Sequence, residues 1–454
     1  MKKYLLVLGL FCSLLPGCKT NTTTPPPVVA KPDLEFYPDT LNFGTVFSGA
    51  GKNVKVIITN FGSSQVTIQS IMPNSSASPF SVSGLPATVS PNQQVIVSVM
   101  LSAANLGVYD EQFNVATSAD SVFHFYAKDT VVQAVNDPVV YSFAVFGCNR
   151  VDKSDFNSSL NPSSANLPQI NRTLADIAAL VPKPDLLFGM GDLVVGEEDS
   201  ITLAKELIAW KALYEASPAK AAGIELVAVT GNHETEDAGG IPRQSAEHAW
   251  LNIMAPYITR GGNGPVPHAG DPDNLQSDQS NLTYSFNFKD AHFVVISTDP
   301  AGQDSHPPGN WLASDIITAH ANPAIKHIFA VSHKPAYSYN GSTSNSLGAY
   351  PSNRDLFWNA MDNSNAEAMF SAHNHTYRAY RPTGKTWMVI AGNGGSSLET
   401  TAPLFYGFTL VQVLKSGTVI EKNYGRNFGA SYIGPSDAAT YPTTLRDSNV
   451  ISWK

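Results

Sequence analysis

The sequence predicts an all-β sandwich followed by a larger α/β domain. Residues 33 to 130 alternate apolar and polar between turn-forming breakers and carry no useful helical period, the pattern of short strands in a sandwich. Residues 139 to 430 alternate apolar strand runs with helically spaced ones, the pattern of βαβ units. A length of 454 residues suits two or three domains at roughly 150 residues each. Hydrophobic residues at 43% and aromatics at 10% exclude a disordered or collagen-like chain. Charged residues are 14%, against a usual ~25%. A net charge of −9 without a basic run argues against nucleic acid as the main partner. No apolar run reaches the ~18 residues that a membrane span needs.

Residues 1–18 read as an export signal. Lys2 and Lys3 precede an apolar stretch, Tyr4 to Leu15, which is too short to cross a bilayer. The ending Leu15-Pro16-Gly17-Cys18 resembles a bacterial lipobox, which implies that Cys18 is acylated and anchors the protein to a membrane, at the periplasm or the cell surface. The alternative is ordinary secretion without lipid. Residues 19–32, with the run Thr-Thr-Thr-Pro-Pro-Pro, form a polar tether. Cys12 leaves with the signal and Cys18 carries the lipid. Only Cys148 then remains in the body, so no intramolecular disulfide forms despite export.

Within residues 33–130 the alternating runs are Val54-Val56-Ile58, Val66-Ile68, Val95-Val97-Val99-Leu101 and Phe113-Val115. Breakers fall between them at Gly49 to Gly51, Asn60 to Ser64, Pro73 to Pro79, Ser90 to Asn92 and Gly107. The stretches Leu41-Asn42-Phe43-Gly44-Thr45-Val46, Ile58 to Ser63, Pro79-Phe80 and Gly107 to Asp110 resemble the immunoglobulin-like domains of the ASH/HYDIN and major-sperm-protein group. That resemblance implies a structural module or one for contact with a protein partner, not chemistry. His124, the one histidine here, reads as an ordinary strand residue.

In residues 139–430 the first strand is expected at Val139 to Phe146, a helix at Leu167 to Val181, a strand at Asp185 to Phe188, a helix at Ile201 to Ala216 and a strand at Ile224 to Val229. This βαβαβ order predicts parallel strands. Further strands are expected at 282–288, 292–297, 325–332, 368–371, 387–391, 408–413 and 419–424, with helices at 246–254, 311–321 and 352–361. This second half is expected to be more antiparallel. Residues 431–454 carry too weak a period for assignment.

Ligands of open α/β sheets gather outside the carboxyl ends of strands. Five polar clusters follow five expected strands: Gly147-Cys148-Asn149-Arg150, Gly189-Met190-Gly191-Asp192, Gly231-Asn232-His233-Glu234, Ser332-His333-Lys334-Pro335 and Ala372-His373-Asn374-His375. Each alone reads as a turn, a helix cap or surface decoration. Together they offer a bridging carboxylate (Asp192), a carbonyl oxygen (Asn232) and imidazoles (His333, His373, His375), a mixed set that suits zinc, iron or manganese. Glycines before Asp192 and Asn232 let the backbone turn sharply beneath a metal. His233, directly after a ligand, is placed to face a leaving group as general acid.

The ordered set resembles the calcineurin-like metallophosphoesterases, which include the purple acid phosphatases, over residues 139 to 425. The resemblance implies a β-sandwich with flanking helices around a two-metal centre, and attack on phosphorus by metal-activated water. It also implies roles: Asp192 as bridge, Asn232, His333 and His373 on one metal, His375 on the other, and His233 as acid toward a phosphoester substrate. The first cluster departs from the family, which carries Asp and His where this chain has Cys148 and Arg150. Arginine cannot ligate metal; a thiolate can. Three outcomes follow: two metals with Cys148 as substitute ligand, aided by Asp152 or Asp155; one metal with Arg150 as electrophile toward phosphate; or a site that binds a phosphorylated ligand without turnover. The second is preferred over the first.

Long polar loops at Ala238 to Asn281 and Tyr337 to Pro351 are expected to wall the site's mouth, with His268, His306, Tyr337 and Tyr339 as candidate substrate contacts. Asn393-Gly394-Gly395 either lines the cleft or simply turns. The function expected is metal-dependent phosphoester hydrolysis in the cell envelope. The competing reading is a non-catalytic envelope binding protein on the same scaffold; a nuclease is disfavoured for want of a basic groove.

Overall fold

The structure, a computed structural model, describes residues 33–43, 46–47, 51–85, 87–102, 107–118, 122–132, 137–196, 199–399, 404–427, 431–433 and 441–453. The expected signal, tether and Cys18 lie outside the described residues. Two compact units divide the chain at Val131/Val132.

In the first unit the strands are β1 (Leu34–Tyr37), β2 (Thr40–Asn42), β3 (Val46–Phe47), β4 (Gly51–Asn60), β5 (Val66–Pro73), β6 (Phe80–Ser83), β7 (Ala87–Val89), β8 (Gln94–Ser102), β9 (Gly107–Thr117) and β10 (Val122–Val132). They form one sheet in the order β1-β4-β8-β6 and a second in the order β2-β10-β9-β5-β7, with β3 on β10. The alternation read from sequence is the burial pattern: Val56, Ile58, Val97, Val99, Phe113, Val115 and Phe125 share one core. His124 sits in β10 and bonds Gln112 at 2.9 Å, away from any cluster of ligating groups.

The second unit contains β11 (Val139–Phe146), α1 (Leu167–Ala178), β12 (Leu186–Met190), α2 (Ser200–Glu215), α3 (Pro218–Ala221), β13 (Glu225–Val229), α4 (Asn232–Thr235), α5 (Gln244–Met254), β14 (Tyr284–Phe288), β15 (Ala291–Ile296), α6 (Gly309–Ala321), β16 (His327–Ser332), α7 (Pro351–Asn363), β17 (Ala368–Ser371), β18 (Tyr377–Tyr380), β19 (Trp387–Ala391), β20 (Tyr406–Leu414), β21 (Val419–Arg426) and β22 (Thr444–Val450). One sheet runs β13-β12-β11-β20-β21-β22 and the other β14-β15-β16-β17-β19-β18. As the period predicts, β11 pairs β12 and β12 pairs β13 in parallel. Among the described residues no helix is long and apolar enough to cross a membrane.

One expectation needs correction, and one unassigned segment gains an element. The first helix stops at Ala178 rather than Val181, because Pro182 bars the residue before it from helical geometry. The later half is more antiparallel than the first, as expected, but mixed: β14–β15, β18–β19, β20–β21 and β21–β22 are antiparallel, while β15–β16, β16–β17 and β17–β19 are parallel, since α6 and α7 return the chain to the start of β16 and β17, and β18 returns it to the start of β19. The antiparallel run β20 to β22 extends the first sheet. The closing segment supplies β22, paired only to β21. As an exposed to half-buried edge strand it lacks the apolar face that a sequence period reports.

The two sheets pack face to face. The Phe143 ring lies 5.1 Å from Phe293, 5.1 Å from Phe329 and 5.6 Å from Phe370 of the other sheet, all nearly edge to face. Helices α6 and α7 bury Leu312, Ile316, Phe357 and Trp358 against the second sheet's opposite side. Ile170, Leu174, Leu203, Leu207 and Trp210 of α1 and α2 belong to the larger core. The rigid layers leave the loops after β11, β12, β13, β16, β17 and β19 to build the site.

Candidate metal centre

The loops after β12 and β13 approach until their glycines touch. An ideal Cβ on Gly191 would lie 2.4 Å from Gly231 N and 2.8 Å from His333 Nδ1, and Gly191 has φ +75°. One on Gly231 would lie 2.4 Å from Asp192 N. These glycines therefore do more than turn: they let two ligand-bearing strand ends share one point. Gly191→Ala is expected to lower stability by about 3 kcal/mol through overpacking and left-handed strain, measured by denaturant unfolding.

Four donor atoms converge there. His333 Nε2 lies 3.1 Å from Asp192 Oδ1, 3.0 Å from Asn232 Oδ1 and 3.1 Å from His373 Nδ1, and His373 Nδ1 lies 3.1 Å from Asn232 Oδ1. For metal–ligand bonds of about 2.1 Å, neighbouring donors of one coordination sphere stand about 3.0–3.4 Å apart. His333 Nδ1 donates to Met190 O at 2.8 Å, which leaves Nε2 for the centre. Burial opposes charge on His333, but Asp192 outweighs it and raises the imidazole pKa. A proton on Nε2 can thus stand in a cation's place, but it serves one acceptor at a time; a metal ion satisfies all four. Burial also opposes ionisation of Asp192, yet His333, His233 and Arg150 hold its carboxyl well below the usual range. Burial, then His333, depresses His373 strongly. Asp192, Asn232, His333 and His373 therefore fit a transition metal.

The other oxygen of Asp192 meets different company. Arg150 Nε lies 3.5 Å from Asp192 Oδ2 and His233 Nε2 lies 3.9 Å from it. Arg150 Nε is buried and makes no hydrogen bond among the described residues. His233 Nδ1 is held by Val195 O at 2.5 Å, and His375 Nδ1 by Ser397 O at 2.8 Å. Burial, then Arg150, lowers the His375 pKa, and Asp192 and His233 act on the same imidazole. Cys148 is fully buried, and its Sγ groups with ligand atoms of Asp192 and His333 within 4.8 Å. It accepts the His373 N–H at 3.1 Å. Burial, then Asp192, pushes the thiol well above its usual range against the pull of Arg150. All eight residues singled out for the centre come together.

Other candidates do not. Asp152 takes Ser397 Oγ at 2.5 Å and Asp155 takes Tyr432 Oη at 2.5 Å, so neither carboxylate is aimed at Cys148. His268 bonds its neighbour Ala269 O on the surface. His306 packs edge-on to Tyr350. Tyr337 bonds Asp355 at 3.2 Å. Tyr339 bonds Glu399, whose own N–H donates to His375 O at 3.1 Å, so of the four only Tyr339 is tied to the centre. The Asn393-Gly394-Gly395 turn is tied to the loop after β11: Gly394 N–H bonds Gly147 O at 3.0 Å and Ser396 N–H bonds Cys148 O at 2.8 Å.

Sequence reasoning missed two carboxylates. Glu234 is fully buried, and its two oxygens accept four backbone N–H groups from Gly231, Asp192, Leu193 and Val194 at 2.7–3.1 Å. Burial, then Asp192, lifts its pKa to about 7. Its signal was available: Glu three residues after Gly231, the N-cap of α4, is the reciprocal half of a capping box. Glu236, at the end of α4, meets the buried Lys334 ammonium at 3.1 Å, together with Asp299 and Asp304. Loops this distant in sequence gave no signal for that pairing.

A fold of two packed sheets with helices outside, and a His/Asn/Asp centre at its strand ends, defines a metallophosphoesterase. The chain belongs to the calcineurin-like phosphoesterase family, whose model matches residues 142–377, more than half the chain. Residues 32–127 match the HYDIN/CFA65/VesB-like immunoglobulin-like domain, so an immunoglobulin-like domain precedes the phosphoesterase. No curated protein matches the chain. Among solved structures it is similar to PhoD at 14% identity, over 89% of each chain, with a TM-score of 0.43. The ASH/PapD-like domain 7 of human CEP192 is 13% identical over 27% of this chain and 99% of that one, with a TM-score of 0.21. The Vibrio cholerae VesB protease is 17% identical over 22% of this chain and 31% of that one, with a TM-score of 0.19.

Proposed function

We propose that the chain hydrolyses phosphoester bonds with one zinc, iron or manganese ion held by Asp192, Asn232, His333 and His373. The observation that carries this reading is the four donor atoms standing 3.0–3.1 Å apart in the pairs given above. When bound, the ion supplies Lewis acidity and lowers the pKa of water. Arg150 then binds a phosphate oxygen through its guanidinium, whose Nε makes no hydrogen bond among the described residues, a role its fixed fork suits. Its place 3.5 Å from Asp192 Oδ2 supports one ion over two, because a second dication at that oxygen would meet the guanidinium. His233, with Nδ1 held by Val195 O and Nε2 3.9 Å from Asp192 Oδ2, gives a proton from Nε2 to the leaving oxygen. His375, with Nδ1 held by Ser397 O, likewise has Nε2 left for the substrate. Cys148 serves as a neutral thiol beside the ligands.

The test is elemental analysis alongside hydrolysis of a generic aryl phosphate and its bis-ester. About one metal per chain with turnover of either ester supports the reading. Two metals would make Cys148 a ligand; no metal even after reconstitution would leave the binding scaffold. Arg150→Ala is expected to weaken inhibition by inorganic phosphate about 10–100-fold, the worth of a charged hydrogen bond, with metal content nearly unchanged. Loss of metal without loss of phosphate affinity would reject the clamp.

The site of action in this reading is the cell envelope. Its support is the Lys2-Lys3 start, the apolar stretch and the Leu15-Pro16-Gly17-Cys18 ending. Labelled fatty acid should enter the intact protein and not Cys18→Ser. The immunoglobulin-like domain is assigned to contact with a protein partner on its family resemblance.

A further inference from the structure

Asn232 can serve a cation only through its amide oxygen; turned over, the same side chain would present two N–H donors to it. The orientation therefore has to be fixed from behind. Asn232 Oδ1 faces His333 Nε2 at 3.0 Å and His373 Nδ1 at 3.1 Å, while Nδ2 donates to Glu236 Oε2 at 3.3 Å. The other oxygen of Glu236 accepts from Lys334 Nζ at 3.1 Å. The ammonium is also gripped by Asp299 Oδ1 at 2.7 Å, Asp304 Oδ1 at 2.5 Å and Ser305 Oγ at 3.1 Å. Glu236 is 7% exposed, Lys334 4% and Asp299 1%, so protein contacts rather than solvent hold these groups. Asp299 is itself fixed by the Ser305 N–H at 2.8 Å and the Thr298 hydroxyl at 2.7 Å.

We propose that Glu236 is the positioning residue that turns the Asn232 amide oxygen toward the metal, with Lys334 holding Glu236 in place. The inference rests on reading Asp192, Asn232, His333 and His373 as metal ligands. Glu236 spends one acceptor oxygen on Lys334 and the other on Asn232, and no neutral isostere can do both. A glutamine has one oxygen and one NH2. The ammonium takes the oxygen, so the NH2 faces Asn232, whose amide turns over and presents Nδ2 to the centre.

Zinc titration of the metal-free whole protein by calorimetry tests this, with thermal unfolding recorded alongside. Glu236→Gln and Glu236→Ala are expected to bind zinc about 10–100-fold more weakly than wild type, the usual cost of losing a group that orients a ligand. Asp304→Asn removes the most exposed partner of Lys334 and leaves Glu236 untouched; it should bind zinc as wild type does. If Glu236→Ala does not fold, the isosteric Glu236→Gln carries the test. Wild-type zinc affinity in the Glu236 variants overturns the inference and leaves the metal centre standing. An equal loss in Asp304→Asn also overturns it, because the effect then belongs to the ion cluster and not to the amide. A wild type that binds no zinc is titrated with iron and manganese in the same way; binding of none of the three overturns the centre, and the inference with it.

Discussion

Asp192→Asn is expected to lose metal and hydrolysis together, with kcat/KM falling by on the order of 10³-fold, or about 4 kcal/mol of transition-state stabilisation. The substitution is chosen because it isolates charge. Asp192 has φ +52°, a left-handed conformation that asparagine tolerates better than most residues. Size and backbone are kept, so the fold should survive and denaturant unfolding should confirm it. The negative charge that lies against His333, His233 and Arg150 together is removed. A cation at the centre would then face a guanidinium with no carboxylate between them. Retention of metal with only a few-fold loss of turnover would mean that Asp192 is not the anion on which the centre depends.

The legible parts of this molecule are those that repeat or cluster along the chain. Alternation in Val54-Val56-Ile58 and Val95-Val97-Val99 is a local pattern, and those residues of β4 and β8 do line or adjoin the sandwich core. Asp192, Asn232, His333, His373 and His375 were legible because strand ends concentrate polar residues, and each sits beside its strand in sequence. Where the signal failed, the cause was a partner far along the chain or a strand without an apolar face. The edge strand β22 shows one or no buried side, so its residues carry no period. Parallel pairing of β15, β16, β17 and β19 depends on where α6, α7 and β18 return the chain, which apolar runs do not encode. Asp152 and Asp155 looked available to Cys148 by proximity in sequence, but Ser397 and Tyr432, more than two hundred residues on, had already claimed them. Lys334, in the cluster after β16, is buried among carboxylates from two other loops, which its neighbours in sequence do not encode.

Removing Glu234 is expected to be the most destabilising single change at the centre. Four backbone donors of two loops converge on its carboxylate: Oε2 takes Gly231 N at 2.8 Å and Asp192 N at 2.9 Å, and Oε1 takes Leu193 N at 2.7 Å and Val194 N at 3.1 Å. Truncation to alanine leaves those N–H groups buried, each unsatisfied donor costing about 1–3 kcal/mol. Even with relaxation and entering water, a loss of about 4 kcal/mol or more is expected, in the range that marks a broken buried network. Glu234→Gln keeps the volume but offers one acceptor oxygen, so its NH2 opposes two of the four donors. It should fall between wild type and Glu234→Ala in denaturant midpoint, with the unfolding slope unchanged. Both variants should also lose metal affinity, since the clamp fixes the backbone of Asp192 against that of Gly231, the residue before Asn232. If Glu234→Ala unfolds within about 1 kcal/mol of wild type, a size of effect ordinary for surface changes and weak caps, the two loops are held by the packing of Gly191 on Gly231 and by the bonds of His233 to Val195 and Asp192. The carboxylate then has no part in assembling the centre.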